Sequence, residues 1–194
     1  MTERDEIERL VDRVQEGDAA ALGAIYDLLA DRVYRFSLLR VGNHADAEDL
    51  TQRTFLKMIE ALPRYQRRGI PFEAWLFRLA RNAAIDLLRG RRSHERLESV
   101  SELRSTAPGP EADAEQAAEL AAARRAIEQL TDEQRDVISY RFAAGLTPRE
   151  IGLLMGKGEG TVRALQFRAL HAMRRFIRIE ESRYRSPQAP ERNR

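Results

Sequence analysis

The chain has 194 residues, with 33 Lys and Arg against 31 Asp and Glu, three His and no Cys, giving a formal net charge of +2. That length suits one or two small domains, and 43% apolar residues with 33% charged ones fits a soluble globular protein rather than a disordered, collagenous or membrane-spanning one. The absence of Cys excludes a disulfide framework and a thiol nucleophile, and His44, His94 and His171 are too scattered for a metal cluster, so neither metal nor cofactor is expected.

The first ten residues are acidic and polar where a signal peptide is basic and then apolar, so a cytoplasmic protein with no membrane insertion is expected. Residues 1 to 31 carry nine acidic and three basic side chains. A long amphipathic helix is predicted from Ala19 to about Val41, closed by Gly42 and Asn43. A second runs from Asp46 to Leu62, with Phe55, Met58, Ile59 and Leu62 as its buried stripe and Asp49, Gln52, Arg53, Lys57 and Glu60 outside. Pro71 opens a third helix reaching about Arg89, with Phe72, Trp75, Leu76, Leu79 and Ala83 facing inward, which puts Trp75 in the core. Between Arg64 and Arg92 eight arginines face only Glu73 and Asp86, so the charge reverses.

It reverses again from Ser93 to Glu119, where seven acidic residues outnumber Arg96 and Arg104. Ser, Thr and the Pro108-Gly109-Pro110 run remove apolar periodicity there, so residues 96–112 are read as a flexible acidic linker. After it come helices from Ala114 to Gln129 and from Thr131, with Gln134 at the capping-box position. Thr147, Pro148 and Glu150 form a strong start signal for a short helix ending near Met155. Gly156 to Gly160 then break the chain before a longer helix from Thr161 to about Ile179, and residues 181–194 form an unpatterned tail, expected to be disordered. The fold class is all-α: two small helical domains, 1–95 and 113–180, joined by the linker.

A short helix, a Gly-containing turn and a longer helix make a helix-turn-helix, whose second helix enters the DNA major groove. Val162, Leu165, Ala169 and Met173 fall on one face and should pack on Ile151 and Leu154. The other face presents Thr161, Arg163, Ala164, Phe167, Arg168 and His171, a mixture able to meet guanine, phosphate and thymine methyl groups. Phe167 either packs on a neighbouring helix or waits for a partner, because a solvated aromatic costs hydration. Arg174, Arg175 and Arg178 continue the basic face toward phosphates or solvent. The chain has no Gly-rich phosphate loop, Gly-x-Ser-x-Gly elbow or zinc signature, so nothing in it points to an enzyme.

The segment from Trp75 to Arg89 closely resembles the promoter-recognition segment of bacterial RNA polymerase sigma factors of the extracytoplasmic-function (ECF) subfamily, within the sigma-70 family. Asp46-Ala47-Glu48-Asp49-Leu50-Thr51-Gln52 with Phe55 is similar to that family's polymerase-binding helix, and Glu150-Ile151-Gly152, Gly160-Thr161-Val162-Arg163 and Arg168-Ala169-Leu170 are similar to its region 4. The motifs span about residues 17 to 180 in family order. The resemblance implies a non-enzymatic subunit that binds core RNA polymerase at the beta-prime clamp and beta flap and gives it promoter specificity. An anti-sigma factor is implied as a further partner.

On that resemblance the second domain reads the duplex −35 element, and the first captures the −10 single strand through Ala61, Tyr65, Arg67, Arg68, Arg78, Arg81, Asn82 and Arg89. Tyr65, Ala61 and Asn82 match the family's pocket for a flipped base, and the arginines match its phosphate contacts. Asp46, Asp49, Gln52, Arg53 and Lys57 match the polymerase-docking surface, although the family mostly has Glu where Arg53 stands. Gly152 departs from the commoner Ala, and Ala164 and Gln166 depart from commoner polar residues. The acidic linker is either a solvated tether or, as in the family, a mimic of RNA in the polymerase exit channel. The residues alone also fit a helix-turn-helix regulator that is not a polymerase subunit. The alternating charge along the chain predicts weak DNA binding by the free protein.

Overall fold

The computed structural model describes residues 2–67, 69–95 and 122–185, and every regular element among them is helical. In chain order these are α1 (Glu3–Gln15), α2 (Ala19–Val41), α3 (His44–Ala61), a 3-10 turn (Leu62–Arg64) and α4 (Phe72–Glu95). The second domain has α5 at residues 122–128, α6 (Asp132–Ile138), a π turn (Ser139–Ala143), α7 (Pro148–Met155) and α8 (Glu159–Arg185). The segment 96–112 read as a linker, Arg68 and residues 186–194 lie outside the described residues.

Local sequence accounts for the boundaries. Asp18 caps α2 by accepting from Ala20 and Ala21, and Gly42 ends it in the left-handed region at φ 78°. Asn43 caps α3, while Thr131 with Gln134 and Thr147 with Glu150 form the two capping boxes legible in the sequence. Helix α1 was not anticipated. Its signals are nevertheless present: Thr2 and Asp5 form a capping box, and Ile7, Leu10, Val11 and half-buried Val14 make an i, i+3, i+4, i+7 stripe.

Several expectations change. Ile59 is 45% exposed rather than buried, because the inward stripe of α3 is turned toward Thr51 and Thr54. Those threonines enter the core by donating their hydroxyls to the carbonyls of Ala47 and Leu50, at 2.6 and 2.7 Å. Helix α8 starts at Glu159, not Thr161, since the amide of Val162 already donates to the Gly158 carbonyl at 3.1 Å. It also continues six residues past Ile179, through a stretch of Glu and Arg that favours helix, with no Pro before Pro187.

The core of the first domain forms where α1, α2, α3 and α4 meet, with Phe72, Trp75 and Leu76 buried as their spacing predicts. In the second domain Val162 and Leu165 pack with Ile151, whereas Ala169 and Met173 pack on Leu130 and Ile138 rather than on α7. The two domains share one core. Phe36 of α2 has no exposure and lies 5.3 Å from the Phe77 ring and 5.4 Å from the Tyr140 ring, each such contact adding about 0.5–1.5 kcal/mol to its apolar burial.

Ion pairs reinforce this seam. Buried Asp136 of α6 meets Nη1 of buried Arg40 at 2.9 Å and Nε of Arg81 at 2.7 Å. Arg4 of α1 clamps Glu150 of α7 with two bonds of 2.5 and 3.1 Å, and its Nε lies 3.4 Å from buried Glu73 of α4. Arg32 of α2 donates to the Ala144 carbonyl.

Candidate nucleic-acid interface

The helix-turn-helix is tight because of a glycine. A Cβ on Gly152 would lie 2.6 Å from the Lys157 carbonyl oxygen, and the Lys157 amide donates back to the Gly152 carbonyl at 2.9 Å. Gly156, at φ 64°, turns the chain between the two helices. The departure from the commoner Ala at position 152 therefore matches a turn drawn close onto α7.

Helix α8 then presents Thr161, Arg163, Ala164, Phe167 and Arg168 together on an exposed face, as their spacing predicts. Phe167 is 71% exposed and stacks only on His171, with ring centroids 6.3 Å apart, so it does not pack on a neighbouring helix. Arg163 pairs with Glu159, which accepts from its Nε and Nη2 at 3.1 and 2.6 Å. Exposed and mixed in chemistry, this face suits a base-edge surface.

The residues matched to the −10 strand divide into two groups. Arg78, Asn82 and Arg89 form an exposed stripe along α4 at i, i+4 and i+11. Tyr65, Arg67 and Arg81 instead have partners inside the chain. Tyr65 is 8% exposed, its ring 4.7 Å from Trp75 and edge-on to Phe72 at 5.4 Å, and its hydroxyl is buried without a hydrogen bond. Burial, followed by the nearby charge of Glu8, pushes that hydroxyl up to about 12. Arg67 pairs with Glu8 and Asp12 of α1, and Arg81 with Asp136 of the second domain. Ala61 is half-buried beside the 3-10 turn.

On α3, Asp49 and Arg53 pair at 2.8 Å, which neutralises the arginine that stands where the family has Glu. Asp46 accepts from its cap Asn43 and pairs with Arg91, Lys57 reaches Asp86 at 3.7 Å, and Gln52 is exposed. Beside these polar groups lie Leu56 at 60% exposure, Ile59 and Tyr26. This apolar edge was missed because the helical stripe rule assigns Ile59 to the core, and Leu56 stands outside that stripe. Among the described residues no group of three or more acidic or His side chains could hold a metal ion, and no helix is long and apolar enough to cross a membrane.

Comparison with known proteins agrees with this geometry. Residues 25–94 match the family described as Sigma-70 region 2, and residues 126–175 match Sigma-70, region 4. The ECF RNA polymerase sigma factor BldN of Streptomyces coelicolor is 36% identical over 172 residues, covering 87% of this chain and 64% of BldN, so the chain spans under two thirds of that relative. ShbA of Streptomyces griseus, also an ECF RNA polymerase sigma factor, is 36% identical over 178 residues, covering 85% of this chain and 92% of ShbA. Among solved structures, RpoE of Bartonella quintana in complex with the anti-sigma factor NepR has a TM-score of 0.64 at 20% identity, covering 79% of this chain and 94% of that one. CnrH in complex with the cytosolic domain of CnrY has a TM-score of 0.63 at 24% identity over 91% of this chain and 99% of that one, and both likenesses concern the fold. With both sigma-70 regions in order and such identity across nearly the whole of ShbA, the chain belongs to the ECF RNA polymerase sigma factors of the sigma-70 family.

Proposed function

We propose that this protein is a dissociable, non-enzymatic specificity subunit of bacterial RNA polymerase, acting in the cytoplasm. The second domain reads the duplex −35 element through Thr161, Arg163, Ala164, Phe167 and Arg168. The first domain docks on the polymerase clamp through α3 and engages the −10 strand along α4. The observation that carries this reading is Phe167, an aromatic left 71% exposed between arginines on the recognition helix of a region 4 domain. A stand-alone helix-turn-helix regulator would need neither the region 2 domain nor its docking helix. An anti-sigma factor is the expected antagonist, since both structural neighbours are complexes, one with an anti-sigma factor and one with a cytosolic protein domain.

The arrangement of the domains adds a step. Elements about 25 base pairs apart at 3.4 Å per pair lie on the order of 80 Å apart. Arg81 and Asp136 are 2.7 Å apart, so the two domains must separate for both elements to be bound at once. Polymerase, by holding each domain at its own site, would supply the free energy for that separation. The recognition face of α8 is exposed already, while Arg81 on the strand side is occupied.

Reconstituted transcription tests the proposal. Core polymerase plus this protein, on a promoter enriched from a randomised duplex library, is expected to initiate specifically and to make thymines near the start permanganate-reactive. Absence of both refutes the reading.

A further inference from the structure

Helix α1 lies upstream of the segment matched to region 2, and nothing above gives it a part in promoter recognition. Its polar stripe, Glu8, Asp12 and Gln15 at i, i+4 and i+7, grips the other side of the strand-capture site at several points. The Gln15 amide donates to the carbonyls of Leu62 and Tyr65, at 3.0 and 2.9 Å, tying both ends of the 3-10 turn. Glu8 accepts from the Phe72 amide at 3.0 Å, so its carboxylate sits on the positive N-terminus of α4. Arg67, between these ties, brings its Nε to 2.7 Å from Glu8 Oε2 and donates Nη2 to the Glu8 carbonyl and Asp12 Oδ1 at 2.8 and 2.7 Å.

Arg67 is half exposed, and a single surface pair there would contribute little. Here, however, one guanidinium meets two carboxylates and a carbonyl, and the cluster Arg67, Glu8 and Asp12 carries a net charge of −1. Such a group repels a phosphate. A strand phosphate would have to displace two carboxylates already in place, whereas Arg78 and Arg89 offer exposed guanidinium groups on α4.

We propose that α1 is the positioning element of the −10 site, and that Arg67 is its tie, holding the turn that carries Tyr65 rather than binding the DNA strand. This rests on the reading of α4 and the preceding turn as the strand-capture site. Gln15, Glu8 and Arg67 are thus positioning residues that act through the backbone at Leu62, Tyr65 and Phe72.

A double-mutant cycle in the full-length protein with core polymerase tests it, reading open-complex formation by 2-aminopurine fluorescence on the library-enriched promoter. Glu8→Ala, Arg67→Ala and Gln15→Ala should each slow opening about tenfold, as misplacement of a binding group does. Core binding and the thermal midpoint report whether the fold is retained, and Gln15→Ala, which removes no charge, carries the test where Glu8→Ala weakens folding. The Glu8→Ala/Arg67→Ala double variant should lose clearly less than the product of the two single losses, because both remove the Glu8–Arg67 tie, although Glu8 also holds the Phe72 amide and Arg67 also holds Asp12. The salt dependence of strand binding should be unchanged by Arg67→Ala. Multiplicative losses, with a salt slope lowered by about 0.7, would show Arg67 on a phosphate and overturn the proposal. Wild-type opening in all three single variants overturns it as well. Asn82→Ala serves as the control for the site itself: if opening is unaffected there, the strand site lies elsewhere and the proposal falls with it.

Discussion

Arg81 of α4 donates its Nε to Oδ2 of Asp136 at 2.7 Å, while the other oxygen of the same buried carboxylate lies 2.9 Å from Arg40. One acidic side chain of the second domain thus pairs with two cations of the first, and the trio keeps a net charge of +1. Burial opposes the charge on Arg40 and pushes its titration down, with Asp136 offsetting part of that cost. Removing Asp136 leaves both arginines uncompensated in a seam where an ion pair costs about 3–5 kcal/mol to break. Asp136→Asn is expected to increase the distance between fluorophores placed on α3 and α8, and to raise affinity for a −10 single strand. An unchanged distance would mean that the apolar contact of Phe36 with Tyr140 holds the domains together without the ion pairs.

The recognition face can be tested without disturbing the fold, since its side chains are exposed. Arg168→Ala is expected to weaken binding to the −35 duplex by about 1–3 kcal/mol while leaving random duplex less affected. Phe167→Ala should lower specific affinity with no loss of thermal stability. Equal losses on specific and random duplex would assign Arg168 to the backbone instead.

Gly152→Ala should destabilise the second domain. The added methyl group would lie 2.6 Å from a backbone oxygen that a turn cannot readily withdraw, and overpacking of this kind costs about 1–3 kcal/mol. Chemical denaturation followed by circular dichroism measures the change, and an unaltered midpoint would show that the turn yields.

The carboxylates around Arg4 give opposite dependences on pH. Burial raises Glu73, and Arg4 and Arg32 only partly counter that, so the folded state holds its proton more tightly than the unfolded chain. Its contribution therefore worsens as pH rises through the unfolded and then the folded titration range. Burial also opposes the charge on Glu150, but the hydrogen bond from Arg4 and the capping bonds of Thr147 outweigh it and leave Glu150 lowered. That contribution is present above the ordinary carboxylate range and is lost as pH falls through the lowered one. Glu73→Gln is expected to raise the melting temperature at pH 7 and to have little effect well below pH 4.5. A lower melting temperature at pH 7 would show that the attraction to Arg4 exceeds the cost of burial.

Local signals made most of the helices legible. The capping boxes at Thr131 and Thr147, the left-handed Gly42 and the stripe containing Trp75 each act within a few residues, where sequence spacing translates directly into geometry. The recognition face was readable for the same reason, lying on a single uninterrupted helix. What escaped depends on distant partners. Arg67 and Arg81 look alike in sequence, as basic residues near a strand site, yet the carboxylates they meet come from α1 and α6, 55 to 59 positions away. Tyr65 is matched by its motif position to a pocket for a flipped base, but its ring packs against Phe72 and Trp75. Ile59 fits the helical stripe and is still exposed, because threonines that satisfy their own hydroxyls occupy the inner face.

Arg4 stands in the first turn of α1 and contacts Glu73 in one domain and Glu150 in the other. Separating the domains therefore frees Arg4 from Glu150, while Ile7, Leu10 and Val11 keep the rest of α1 seated in the first-domain core. Backbone amides at the N-terminal end of α1 should lose protection on domain separation, while those from Leu10 onward keep theirs. That end of the helix would report domain separation, readable by hydrogen exchange in the unlabelled protein, with and without polymerase.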